Sequence, residues 1–96
     1  VGVELFRGFL RSLHHGFVET FGISPIAYIK NLRLARARRD LIRNTWPTVT
    51  ETAMYWNFHH LGRFSKAYQD AYGETPSETA RRNSAKLATA AKNNNQ

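Results

Sequence analysis

The sequence predicts an all-α fold made of two equivalent helical units joined by a long helix. Residues 51 positions apart repeat one another: Leu13 and Phe64, Phe17 and Tyr68, Phe21 and Tyr72, Gly22 and Gly73, Ser24 and Thr75, Pro25 and Pro76. Each copy places apolar residues three and four apart, the spacing of one helical face. Each is then stopped by Gly and followed at once by a new helix start. The stretch between the copies is itself helical in pattern. Two equal units on a basic chain suggest a protein that makes the same contact twice along a repeating partner, and DNA is the obvious one.

The first helix is expected from Leu5 to Phe21, with Leu5, Phe6, Phe9, Leu10, Leu13, Phe17 and Phe21 on one stripe. Gly16 costs that helix about 1 kcal/mol relative to Ala, so another helix is expected to pass close there. Gly22 ends it, because Gly enters the left-handed conformation cheaply. Ser24 caps the next helix and Pro25 takes its first position, where a missing N–H costs nothing. That second helix is expected from about Pro25 to Arg43. Ile26, Tyr28, Ile29, Leu32, Leu34, Ala37, Leu41 and Ile42 are its apolar residues, and Lys30, Arg33, Arg36, Arg38, Arg39 and Arg43 its basic ones. The basic run reads as a solvated face with some phosphate contact. Asn44 to Pro47 forms the turn, since a residue before Pro leaves the helical region.

Thr48 to Tyr55 carries a capping box, Thr48 with Glu51, and turns Val49 and Ala53 inward. Asn57 is the following turn, because Asn tolerates positive φ. His60 to Tyr72 is the next helix, with Phe64, Tyr68 and Tyr72 on its buried stripe, and the pair forms a helix-turn-helix. Thr75-Pro76-Ser77-Glu78 combines an N-cap, an N1 proline and an N3 glutamate, so a last helix starts there. It is expected to fade after Arg82, leaving a frayed or disordered tail.

Fourteen Lys and Arg against seven Asp and Glu give a formal charge of +7. Such an excess favours polyanions, because each neutralised phosphate releases counterions. Membrane surfaces and acidic proteins are served by the same sign. Cysteine is absent, which removes thiolate nucleophiles, disulfides and Cys-based zinc sites. No apolar run approaches the roughly 18 residues of a membrane span, and no signal-peptide layout is present. A cytoplasmic protein without cofactor is the expectation. An enzyme is excluded as a reading: no nucleophile and base fall together, and a small helical domain has little room for a deep pocket. His14 and His15 are adjacent and point about 100° apart, as do His59 and His60, so neither pair holds one metal ion easily.

The stretch Thr48 to Arg82 resembles the second helix-turn-helix of AraC/XylS-type transcription regulators. Leu13 to Leu41 resembles the end of the first one plus the linker helix. The specific part is the ordered set Phe58, Phe64, Tyr68, Gly73, Thr75 and Pro76, echoed by Leu13, Phe17, Gly22, Ser24, Pro25, Arg33-Leu34 and Ala37. The resemblance implies two homeodomain-like helix-turn-helix subdomains on one linker helix, with both recognition helices in successive major grooves of double-stranded DNA. By position it implies a partial first helix-turn-helix over 1–24 with its recognition helix at about 9–21, a linker helix over 25–44, a second helix-turn-helix and closing helix over 45–84, and the tail over 85–96. The first recognition helix would present Arg11, Ser12, His14 and His15. The second would present His60, Gly62, Arg63 and Lys66. All lie off the apolar stripes.

The sequence departs from the family pattern in several places. About ten residues precede the first recognition helix where the family has more, the turn Gly expected at Arg7 stands one place late at Gly8, and Val1 is not an initiator Met. An N-terminally truncated chain with an incomplete first subdomain is therefore expected, its effector-binding or dimerisation domain lying upstream. Asn57 replaces the usual turn Gly. Thr52 stands where a larger aliphatic is preferred, a small loss of core. The alternative reading is a protein-interaction module that has lost DNA readout and self-associates through Leu5, Phe6, Phe9 and Leu10. Phosphate contacts are expected at the helix N-termini near Ser24, Thr48 and Thr75.

Overall fold

The computed structural model describes residues 2–94, with side chains described for 2–92. It has five helices among the described residues: α1 (Gly2–Phe21), α2 (Pro25–Arg43), α3 (Val49–Tyr55), α4 (Leu61–Tyr72) and α5 (Pro76–Asn94). The chain divides into two compact units, one ending at Leu32 and one beginning at Arg33. The boundary falls inside α2.

In the first unit α1 is unbroken from Gly2 to Phe21 and runs through Arg7 and Gly8, where the family pattern has a turn. No Pro interrupts this stretch, and one Gly in a helix interior costs only about 1 kcal/mol. The helix ends at Gly22, whose φ of 77° is left-handed and whose N–H donates to the Val18 carbonyl at 2.7 Å. Ser24 then caps α2 by accepting from the Ala27 N–H at 3.2 Å. Phe17, Phe21 and Tyr28 form an aromatic trio with ring centroids 4.5 to 5.6 Å apart. α1 buries no residue. Gly16 differs from expectation too: no atom lies within 4 Å of where its Cβ would stand. No neighbouring helix requires a glycine there.

The second unit holds the core. Leu34, Ala37 and Leu41 of α2 pack with Ala53 of α3 and Phe64 and Tyr68 of α4, and Val49, Trp56, Phe58, Ala67, Tyr72 and Ala80 close around them. Of the apolar residues expected to turn inward in this half, Leu34, Ala37, Leu41, Ala53, Phe64 and Tyr68 are buried, whereas Ile42 is exposed. α2 ends where Asn44 enters the left-handed region at φ 52°. There its amide donates to the carbonyls of Leu41 and Ala80, at 3.4 and 3.5 Å, which ties the end of α2 to α5. Asn57 makes the helix-turn-helix turn at φ 65°, as its residue type predicts. Thr52 is buried and is satisfied by donating to the Thr48 carbonyl at 3.0 Å, so the polar atom that replaces an aliphatic carries a bond rather than a penalty.

α3 begins with Thr48 accepting from the Glu51 N–H at 3.1 Å. α5 begins with the full reciprocal box: Thr75 accepts from the Glu78 N–H at 3.1 Å while the Glu78 carboxylate accepts from the Thr75 N–H at 3.4 Å. The expected fading after Arg82 does not occur, because α5 continues to Asn94. Residues 85–92, AKLATAAK, contain no Gly or Pro and four Ala, a composition that favours helix without tertiary support. Residues 95–96 of the expected tail lie outside the described residues.

With so few buried side chains, the second unit depends on each of them. Phe64→Ala should lower its stability by about 3–5 kcal/mol. Urea unfolding followed by circular dichroism, parent against variant, measures this.

Candidate nucleic-acid interface

α4 is amphipathic in a way that separates core from surface. At about 100° per residue, positions 62, 63, 66, 69 and 70 share roughly a third of the helix circumference. Phe64 and Tyr68 occupy the opposite side and are buried, while Gly62, Arg63, Lys66, Gln69 and Asp70 are exposed. His60 is the N-cap residue, is exposed, and makes no side-chain capping bond. The first-turn N–H groups of α4 thus lack the side-chain acceptor that Ser24, Thr48 and Thr75 provide for α2, α3 and α5. Gly62 has open space where a Cβ would stand, so no neighbour within the protein demands glycine there. The structure therefore brings His60, Gly62, Arg63 and Lys66 together at one end of α4.

On α1, Arg11, Ser12, His14 and His15 are all exposed. His15 Nε2 lies 3.0 Å from Glu19 Oε1, one helical turn on. These four residues belong to the first unit and the α4 set to the second.

Helical position separates the α2 arginines, with Arg33 and Arg38 flanking the buried stripe of Leu34, Ala37 and Leu41 and Arg36 and Arg43 on the far side. Arg33 lies over the Phe58 ring at 5.0 Å and donates to the Asn57 carbonyl at 3.3 Å, so it braces the turn between α3 and α4. Arg38 lies over the Tyr72 ring at 4.6 Å and donates to the Tyr68 hydroxyl at 3.4 Å and to Glu74 at 3.3 Å. Both guanidiniums serve the fold. Lys30, Arg36 and Arg43 are exposed and available to a polyanion.

Glu74 gathers what holds the far end of α4. It accepts from Arg82 through both carboxylate oxygens, from Arg38, and from the Thr79 hydroxyl at 2.6 Å. Thr79 also lies 2.8 Å from the Tyr68 hydroxyl. The Thr79 proton is committed to the carboxylate, which can only accept, so Tyr68 donates to Thr79. A buried phenol is thereby satisfied through a chain that ends on an anion. Burial of Tyr68 raises its pKa, against the lowering influence of Thr79 and Arg38. The hydrogen bonds from Arg82 and then Thr79 lower the pKa of Glu74 from the ordinary 4.5 to about 2.

Asp40 does similar work at the other end. It is a buried carboxylate on α2 that accepts from the Trp56 indole at 2.8 Å and the Trp46 indole at 3.3 Å. Sequence reading missed Asp40, Glu74 and Thr79. The one available signal for Asp40 was a lone acid inside an arginine-rich helix.

The sequence family described as a helix-turn-helix domain matches residues 10–82, about three quarters of the chain. The chain is 40% identical over 74 residues to a probable thc operon regulatory protein of Rhodococcus erythropolis, covering 75% of this chain and 22% of that protein. It is 39% identical over 71 residues to an XylDLEGF operon transcriptional activator of Pseudomonas putida, covering 72% and 45%. A crystal structure of a probable AraC family transcriptional regulator from Rhodopseudomonas palustris superposes with a TM-score of 0.70 at 39% identity, covering 76% of this chain and 68% of that one. The chain belongs to the AraC family of helix-turn-helix transcription regulators. As an AraC-type domain it is a helix-turn-helix DNA-binding domain and not an enzyme. It spans between about a fifth and about half of the length of the two curated relatives just described. Among the described residues no helix is long and apolar enough to cross a membrane.

The Glu74 cluster of this AraC-type domain makes its stability sensitive to acid. A carboxylate whose pKa is lower in the folded state contributes stability that is complete above its unfolded value near 4.5 and is lost as pH falls towards about 2. Thermal melts of the parent should fall through that window. Glu74→Gln should melt lower at pH 7 and show a flatter decline between pH 4.5 and 2.

Proposed function

We propose that this chain binds specific duplex sequences, with α1 and α4 as recognition helices in successive major grooves and α2 as the spacer between the readers. The observation that carries the reading is α4: a basic, uncapped helix end whose opposite face is locked into the core. Arg63 and Lys66 stand where side chains reach base edges, and Arg63 is suited to the O6 and N7 acceptors of guanine. His60 and Gly62 bring the helix N-terminus close to the duplex, where its orphan N–H groups meet phosphate. Arg11, Ser12, His14 and His15 supply the second set of contacts from α1. Nineteen residues in α2 give roughly 28 Å of rod at about 1.5 Å each, comparable to the ~34 Å recurrence of a groove on one DNA face. Exposed Arg36 and Arg43 add phosphate contacts. Such a regulator works in the cytoplasm beside the DNA, with an effector-binding or dimerisation domain upstream in the full protein.

Anisotropy titrations against a selected duplex at two salt concentrations test this. Binding should weaken steeply with salt. Arg63→Ala should cost about 1–3 kcal/mol and relax preference at one base pair, while loss of the phosphate-contacting Arg36 should lower the salt slope by about 0.9. A flat salt response with no enriched sequence rejects the reading.

A second reading, self-association, is favoured by one observation. Phe6 and Phe9 on α1 are 61% and 63% exposed, beside exposed Val3, Leu5, Leu10 and Leu13, and contiguous apolar surface of this kind seeks burial. Sedimentation would show a concentration-dependent oligomer that Phe6→Asp with Phe9→Asp abolishes. Without DNA affinity in the parent, that result favours the second reading over the first.

A further inference from the structure

Asp70, the exposed acid on α4, makes no side-chain hydrogen bond or ion pair among the described residues. From Arg33 onward the acidic residues are Asp40, Glu51, Asp70, Glu74 and Glu78. Asp40 holds two indoles, Glu51 sits in the first turn of α3 where negative charge is favoured, Glu74 closes the ion cluster, and Glu78 completes the α5 cap. Asp70 enters no ion pair among the described residues, although Lys66 stands one turn before it. It occupies the last turn of α4, where the helix dipole disfavours a carboxylate. It is also exposed on the face that carries Arg63 and Lys66, where a carboxylate would meet the phosphates of a duplex. Local preferences broken without compensation inside a protein mark functional positions.

Resting on the DNA-reading function above, we propose that Asp70 is a specificity-determining residue that accepts a hydrogen bond from the exocyclic amino group of a cytosine in the major groove. From Gly62 to Asp70 is eight residues, a rise of about 12 Å along the helix axis. Lys66, Gln69 and Asp70 stand at i, i+3 and i+4, the spacing by which a homeodomain helix lying along the groove presents its reading side chains. A carboxylate only accepts. It is therefore repelled by the O6 and N7 acceptors of guanine, and by adenine N7 beside its amino group. Cytosine N4 presents a donor without an adjacent acceptor. The same charge weakens binding to every non-cognate site through the phosphates.

Selection from random duplex DNA with the full chain, its Asp70→Ala variant and its Asp70→Asn variant tests the assignment, with anisotropy on cognate and non-cognate duplexes. Asp70→Ala should lose cytosine preference at one position by about tenfold and bind non-cognate DNA several-fold more tightly, while melting no lower than the parent. Asp70→Asn should shift that position towards adenine, whose N6 and N7 suit an amide. A role confined to folding would not produce this change of base. If the parent selects a sequence and both variants select the same one with equal discrimination, the assignment of Asp70 is overturned while DNA reading stands. A parent that selects no sequence removes both.

Discussion

The placement of α4 depends on one buried phenol. Tyr68 is fully enclosed, and its hydroxyl is tolerable there because it donates to Thr79, which donates in turn to Glu74. An unmatched hydroxyl in that position would cost on the order of 1–3 kcal/mol. Glu74 is then held by guanidiniums from α2 and α5. The chain of bonds ties α2, α4 and α5 together around a core of few apolar residues. The angle at which α4 presents its outer face follows from these contacts. Arg33 at the turn and Asp40 beneath Trp56 fix the other end of the same element.

The helices were legible because their signals are local. Gly22 and Gly73 stop helices at φ 77° and 73°, Ser24, Thr48 and Thr75 cap the helices after them, and Asn57 turns where its side chain allows. The buried stripe of α4 followed from spacing alone. The exposed His60, Gly62, Arg63 and Lys66 followed as its complement. What was not legible is how long-range polar pairs choose partners. Periodicity within α2 places Arg33 and Arg38 beside the buried stripe of Leu34, Ala37 and Leu41 and puts Arg36 and Arg43 on the far side. Which groups the first two would meet was not legible, because Asn57, Phe58, Tyr68, Tyr72 and Glu74 are distant in sequence. The far half of α5 has few bulky apolar residues to announce it, and its alanine-rich composition is what favours helix there.

The two copies of the internal repeat have different fates. Phe64 and Tyr68 are buried, whereas their counterparts Leu13 and Phe17 lie on a helix that buries nothing. The sequence signal of duplication concerns chain pattern. Burial depends on what stands opposite. In the second copy Leu34, Ala37 and Leu41 of α2 stand there, and α3 closes the side. In the first unit the aromatic packing is that of Phe17, Phe21 and Tyr28 around the Gly22 turn.

Asp40 has an optical corollary. The chain has two tryptophans, and both indoles donate to this one carboxylate. Tryptophan emission from the protein therefore originates at a single corner, where α2 meets the loop before α3 and the turn after it. A spectroscopist following tryptophan light would watch that corner open and would have no direct signal from the N-terminal helix.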